Sequence, residues 1–274
     1  MDEKCFVLIH PFEIIKEALS RWAKNFMPVV AICSVSIFTT RIFQLIKNSM
    51  GAATSNVAFL LSSLLFLAGL ATLIALNAFI CLLAINFLKG DNQTRPSFAS
   101  AFDDTRLCIG VYLKALFLLL AFVFAGLLVG YLFLLAGFFF SSPPLNAGKM
   151  AILVAASTVF VVVVISVAWY GCFFSLAPLI AAFEKKGAVA SMRESRARIR
   201  GNALRYCFIF ILFIAVYLGV GLCSYYLLKQ VTHQRFVLSM IDPVMNFLFG
   251  PIWLALWFVC YQKLTELKIS SRVK

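Results

Sequence analysis

The chain has 274 residues, 63% of them hydrophobic and only 13% charged, where a soluble globular protein runs at about 45–50% apolar and about 25% charged. That hydrophobicity excludes a disordered chain. Uninterrupted apolar runs longer than the roughly 20 residues that cross a bilayer exclude a water-soluble domain and a barrel of short alternating strands. The net charge of +13 reads as an orientation signal, as the loop count below shows.

Six helical spans are predicted. The first runs from Phe26 to about Ile46, with Arg41 near its far end. The second is Val57–Leu88, followed by Lys89-Gly90-Asp91. The third runs from about Gly110 to Phe140 and carries Lys114 near its start. Ser141-Ser142-Pro143-Pro144 closes it, because proline gives no donor and restricts the residue before it. The fourth is Met150–Phe183, closed by Glu184-Lys185-Lys186-Gly187, with Pro178 expected to kink its end. The fifth is Tyr206–Leu228 and the sixth about Met240–Tyr261, the latter holding Pro243 and Pro251. The second, third and fourth are so long, about 45–50 Å against a hydrocarbon core of about 30 Å, that they must tilt, kink or project.

Orientation follows from the positive-inside rule. Of the 24 Lys and Arg, only Arg41, Lys47, Lys149, Lys229 and Arg235 fall in the alternate loops; the other 19 sit with the two termini, around 89–114 and around 184–205. Both termini are therefore expected in the cytoplasm. The first 25 residues carry Asp2, Glu3, Glu13 and Glu17 and show no compact apolar core, so no signal peptide is expected. The sequon Asn92-Gln93-Thr94 lies on the cytoplasmic side of this layout and reads as chance. The eight cysteines show no CxxC or paired spacing and read as small hydrophobes.

Each odd-numbered span is preceded by a short amphipathic segment. Phe12, Ile15, Leu19 and Trp22 recur at helical spacing in the first. Pro96-Ser97 opens the second, with Phe98, Ala101 and Phe102 against Asp103, Asp104 and Arg106. The third sets Val189, Met192 and Ile199 within a comb of Arg193, Arg196, Arg198 and Arg200. Ala18, Ala101 and Ser191 hold similar places in the three. The reading is one all-α membrane domain over residues 1–274, built from three units of an interfacial helix and two spans, approximately 11–89, 96–186 and 187–265.

The arginine comb, with Arg205, suits phosphate, because the planar guanidinium fork donates two bonds at once. Anionic phospholipid is the expected partner; exposed aromatics interleaved with the charge, as nucleic-acid binding requires, are missing. Within the spans, Lys114 and Arg41 can snorkel to the interfaces. Asp242 is placed to cap the sixth span. Ser62, Ser63, Thr72, Asn77, Ser157, Thr158, Ser166 and Asn246 are mid-membrane polar groups suited to bonding between helices, Asn77 foremost. Gly126 and Gly130 form a GxxxG pattern that permits close helix approach, within the chain or in a homo-oligomer.

No GxSxG, P-loop or HExxH pattern occurs. His10 and His233 fall on opposite sides and cannot share a metal, and Asp103 and Asp104 are adjacent and do not face each other on a helix. No metal, cofactor or catalytic residue is expected.

The stretch Phe174-Ser175-Leu176-Ala177-Pro178-Leu179-Ile180, then Ala190-Ser191-Met192-Arg193-Glu194-Ser195, then Arg200-Gly201-Asn202 opening the next span, resembles a bacterial multi-pass domain found alone or fused to glycerophosphodiester phosphodiesterases. The resemblance covers residues 174–205, with Ser191 and Met192 where the family usually has Ala and Leu. It implies a bacterial inner-membrane protein and transfers no catalytic residue, since no phosphodiesterase domain is attached. The expected function is non-enzymatic: binding or organising lipid, or supporting an envelope assembly with a membrane-protein partner, through a basic cytoplasmic face. A transporter or lipid-translocating protein is the alternative, favoured by the repeats and proline-broken spans.

Overall fold

A computed structural model describes residues 9–50, 56–89, 96–141, 147–231 and 241–273; the side chains of 42–67, 231, 242 and 270–273 lie outside that description. The described elements are all helices: α1 Pro11–Lys24, α2 Phe26–Met50, α3 Asn56–Lys89, α4 Phe98–Phe140, α5 Ala147–Phe174, α6 Ala177–Glu184, α7 Ala188–Ile199, α8 Ala203–Val231 and α9 Ile241–Val273. Five stretches are long and apolar enough to cross a membrane, with α5 and α6 counted as one, and a sixth is reached if the bent pair α1 and α2 counts as one span. The protein has the build of a helical, multi-pass membrane protein.

Two of the three leading segments are separate helices. α1 meets α2 at 88°. Asn25 makes that corner: its main-chain N–H bonds back to the Arg21 and Trp22 carbonyls, its side-chain amide bonds to the Arg21 carbonyl at 3.1 Å, and its own carbonyl accepts from Val29. α7 is likewise set off from α8 by a turn at Arg200-Gly201-Asn202, where Gly201 takes a φ of 96° that only glycine adopts freely. The expected interfacial helix at 98–106 differs. It is the first turns of α4, a continuous helix of 43 residues, or roughly 65 Å. Ser97 caps its start, accepting from the Ser100 N–H at 3.2 Å, and nothing between Arg106 and Gly110 breaks the helix. Its attachment explains this. Asn86 donates to the Thr105 hydroxyl at 2.9 Å, Thr105 donates to the Ala101 carbonyl, and all three are buried against the end of α3.

The fourth span also departs from expectation. Pro178 does not kink a continuous helix. The helix stops at Phe174, turns through Ser175-Leu176, and restarts as α6 with Pro178 in its first turn. Proline fits a helix start, where its missing N–H is not needed.

The helices group into two compact units, residues 1–110 with 204–274 and residues 111–203. In the first, α9 is the central helix. Leu254, Ala255, Leu256, Phe258, Val259 and Cys260 are buried and Trp257 is half-buried, so most of the circumference of that stretch is covered. α1, α2 and α3 pack on α9. α8 adds an aromatic ladder: Phe210 meets Trp253 edge-on at 4.8 Å and Phe213 meets it tilted at 5.3 Å, and Phe213 and Tyr217 reach Phe249 edge-on at 5.8 and 5.6 Å.

In the second unit α4 and α5 run antiparallel. A Cβ added at Gly126 would meet Val167, one at Gly130 would meet Val163 and Phe160, and one at Gly137 would meet Ala156. Each step along α4 is matched by an equal step back along α5. The glycines thus let the two backbones close on each other. The opposite faces are apolar and exposed, with Phe124, Phe139, Val154 and Ile165 among them, as suits helices solvated by lipid.

Candidate functional site

α7 carries three of the five arginines expected to hold phosphate, Arg200 follows directly at its C-terminal end, and the structure divides them. Arg193, Arg196 and Arg200 lie three and seven residues apart along the chain, so they share one face, and all three are exposed. Val189, also exposed, stands on the same face. Arg198 points the other way. Its guanidinium bonds to Glu184 at 2.7 Å and to Glu194 at 3.0 Å, with only 4% of its side chain exposed. Lys186 joins the group at 2.9 Å from Glu184 and 3.7 Å from Glu194. The four charges neutralise one another and tie α6 to α7. Arg198 is therefore a structural group, with its fork already taken by carboxylates.

The rest of the buried face of α7 is polar too. Ser191 and Ser195 are fully buried. Ser195 donates to the Phe173 carbonyl at 2.7 Å, and Ser191 donates to the Lys186 carbonyl at 3.3 Å. In an unbroken helix the Phe173 carbonyl would accept from Ala177; at the break it is released, and Ser195 satisfies it. α7 is thus pinned by Ser191, Ser195 and Arg198 and shows its arginine face outward. Arg205 belongs to the other unit, where its guanidinium donates to the Ile9 carbonyl at 2.9 Å and ties the start of α8 to the chain leading into α1. The five-arginine set expected from the sequence is one exposed triad and two arginines engaged within the fold.

Among the intramembrane polar residues, Asn77 meets the Ser36 hydroxyl, joining α3 to α2. Asn246 accepts from the Tyr217 hydroxyl at 3.3 Å, joining α9 to α8. Asn246 also lines a cavity of about 380 Å³ in the first unit, together with Ser36, Thr40, Arg41, Cys33 and Trp253. This is a partly polar recess within apolar helices, with Arg41 in its lining. Asp242 is the second residue of α9, and its side chain, like those of Ser62 and Ser63, lies outside the described residues, as do Asn92–Thr94 and His233. Gly126 and Gly130 both face α5. No group of three or more His, Cys, Asp or Glu among the described residues is placed to hold a metal.

Sequence reasoning gave no bonding role to Ser191, Ser195 or Glu184 and did not single out the Asn86–Thr105 pair. For α7 a signal existed: Ser191, Ser195 and Arg198 follow helical spacing, opposite the exposed arginines. A polar stripe on both sides of a helix that leads into a span marks one side as held by hydrogen bonds.

No family model, curated protein or solved structure matches the chain.

Proposed function

We propose that this chain is a non-enzymatic bacterial inner-membrane protein that gathers anionic phospholipid at the cytoplasmic ends of its spans, with both termini in the cytoplasm. The observation that carries the reading is the outward face of α7. Arg193, Arg196 and Arg200 are exposed together beside Val189, on a helix whose opposite face is fixed by Ser191, Ser195 and Arg198. A rigid row of guanidinium forks at headgroup level, next to an apolar side chain that can enter the acyl boundary, suits phosphate-bearing lipid. The concentration of Lys and Arg in alternate loops supports the orientation. The resemblance of residues 174–205 to the membrane domain of glycerophosphodiester phosphodiesterases supports the inner-membrane setting. Support of an envelope assembly, through a protein partner or a second copy, is the form this function takes if lipid gathering serves other proteins.

Flotation with liposomes tests it. Protein carrying Arg193→Gln, Arg196→Gln and Arg200→Gln should lose most of its preference for phosphatidylglycerol over phosphatidylcholine, and the preference of the unaltered protein should fall with added salt. An unchanged preference rejects the reading.

The alternative, movement of lipid or another amphipathic substrate, is favoured by the 380 Å³ recess holding Arg41, Thr40, Ser36 and Asn246. On that reading Cys33, which lines the recess, reacts with a water-soluble maleimide in intact vesicles. A Cys33 that reacts only after solubilisation counts against it.

A further inference from the structure

A second cavity, of about 510 Å³, lies where α1, the end of α3 and the late part of α9 come together. It falls at the 88° corner between α1 and α2 and beside Lys89, the last residue of α3. Lys89 closes α3, which is long and apolar enough to cross a membrane, so the cavity lies at the end of that helix.

Its lining is mixed in a specific way. Lys16, Lys24 and Lys89 are the three lysines in its lining. Glu13 supplies a carboxylate to the same cavity. Glu17 and Arg21, also in the lining, bond to each other at 2.7 Å and take little part in attracting a further ion. Ser20, Asn25 and Gln262 complete the polar wall, and the side-chain carbonyl oxygen of Gln262, on α9, is buried and has no hydrogen-bond partner among the described residues. Leaving such an acceptor without a donor is unfavourable, so this wall is complete only when a donor is brought to it.

We infer that this cavity binds the headgroup of an aminophospholipid, with the phosphate among Lys16, Lys24 and Lys89 and the primary ammonium between Gln262 and Glu13. The chemistry discriminates among headgroups. A choline headgroup has the charge but no N–H to give Gln262. A glycerol headgroup has hydroxyl donors but no cation for Glu13. Phosphoethanolamine has the phosphate, the N–H donors and the positive charge. The inference rests on the membrane-lipid reading above but not on the arginines of α7, so the two can fail separately.

The test is native mass spectrometry of the full chain in mild detergent, titrated with dioleoyl phosphatidylethanolamine, phosphatidylcholine and phosphatidylglycerol. Phosphatidylethanolamine should be retained about fivefold better than phosphatidylcholine, the worth of one buried hydrogen bond. Gln262→Leu should abolish that preference. Gln262→Glu, which offers the ammonium a charge as well as an acceptor, should raise it, so the prediction does not depend on a variant that loses a polar group. Lys24→Gln with Lys89→Gln should weaken both lipids alike, because both carry the phosphate. The α7 triple variant should lose phosphatidylglycerol and keep the ethanolamine preference. Displacement by water-soluble glycerophosphoethanolamine as readily as by the diacyl lipid would support the same site and assign it to a soluble ester. Equal retention of the ethanolamine and choline lipids, or a preference that survives Gln262→Leu, overturns the proposal while leaving the α7 reading intact. Retention of no phospholipid at all overturns both.

Discussion

The hydroxyl of Ser195 bonds to the main-chain carbonyl of Phe173 at 2.7 Å, across 22 residues of chain. Phe173 is in the last turn of α5, just before the helix breaks, and the released carbonyl has no partner within its own helix. Ser195→Ala would bury it unsatisfied, at a cost of about 1–2 kcal/mol. A drop of a few degrees in the thermal midpoint in detergent is expected, with a smaller drop for Ser191→Ala, whose bond is longer at 3.3 Å. Equal, negligible effects of the two would show that neither hydroxyl holds α7.

The arginines of α7 should separate by assay. Arg198→Gln leaves Glu184 and Glu194 facing each other with Lys186 alone between them. Both carboxylates keep some access to solvent, so the loss is about 2–3 kcal/mol, below that for a wholly buried pair. Its binding to anionic liposomes should be unchanged at temperatures where it stays folded. Arg196→Gln should do the reverse, weakening liposome binding and leaving the thermal midpoint in place. Matching profiles for the two variants would contradict the division of the comb.

The α4–α5 glycines give a graded series. At Gly137 a Cβ would collide with the Cβ of Ala156, which has no rotamer through which to yield, so the backbones must part. Gly137→Ala should cost about 1–3 kcal/mol. At Gly130 the nearest atoms are side-chain carbons at 3.1–3.4 Å, and Gly130→Ala should cost less. At Gly219 of α8 nothing lies within 4 Å, and there the better helix propensity of alanine should stabilise by up to about 1 kcal/mol. Thermal unfolding of the three variants in one detergent checks the order.

Topology can be read by reporter fusions. A fluorescent protein at the C-terminus should fold and emit, while alkaline phosphatase inserted between Ser141 and Ala147 should be active. Activity of the phosphatase at the C-terminus instead would invert the orientation drawn from the charge distribution.

The spans were legible because they rest on one physical quantity, the transfer of apolar side chains from water to lipid, which a run of residues states directly. Thus the ends of α3 and α8 fall within a few residues of the expected ones. The junctions were not, because they turn on which polar group finds which partner. Residues 98–106 read as amphipathic, yet they are the first turns of α4, and Thr105 is matched by Asn86 on another helix. In α1 the stripe of Phe12, Ile15, Leu19 and Trp22 was visible, but the fold buries Ile14 and Ala18 beside it and leaves Phe12 74% exposed. An apolar stripe beside lipid has two uses, protein and membrane, and composition does not assign them. Among the candidate site residues, Asn77 was marked by its depth alone. Arg198 could not be told from Arg196 without knowing that Glu184 returns to meet it.

The glycine pattern on α4 also works as a vernier. In the observed register the three small positions fall opposite Val167, Val163 and Ala156. Sliding α5 by one turn in one direction would bring the ring of Phe160 against Gly137, and sliding it the other way would bring Ile152 there. Either slip wedges the two helices apart near the end of α4. Two helices with apolar surfaces on every side, which could otherwise glide past each other in lipid, are thereby given a single stop.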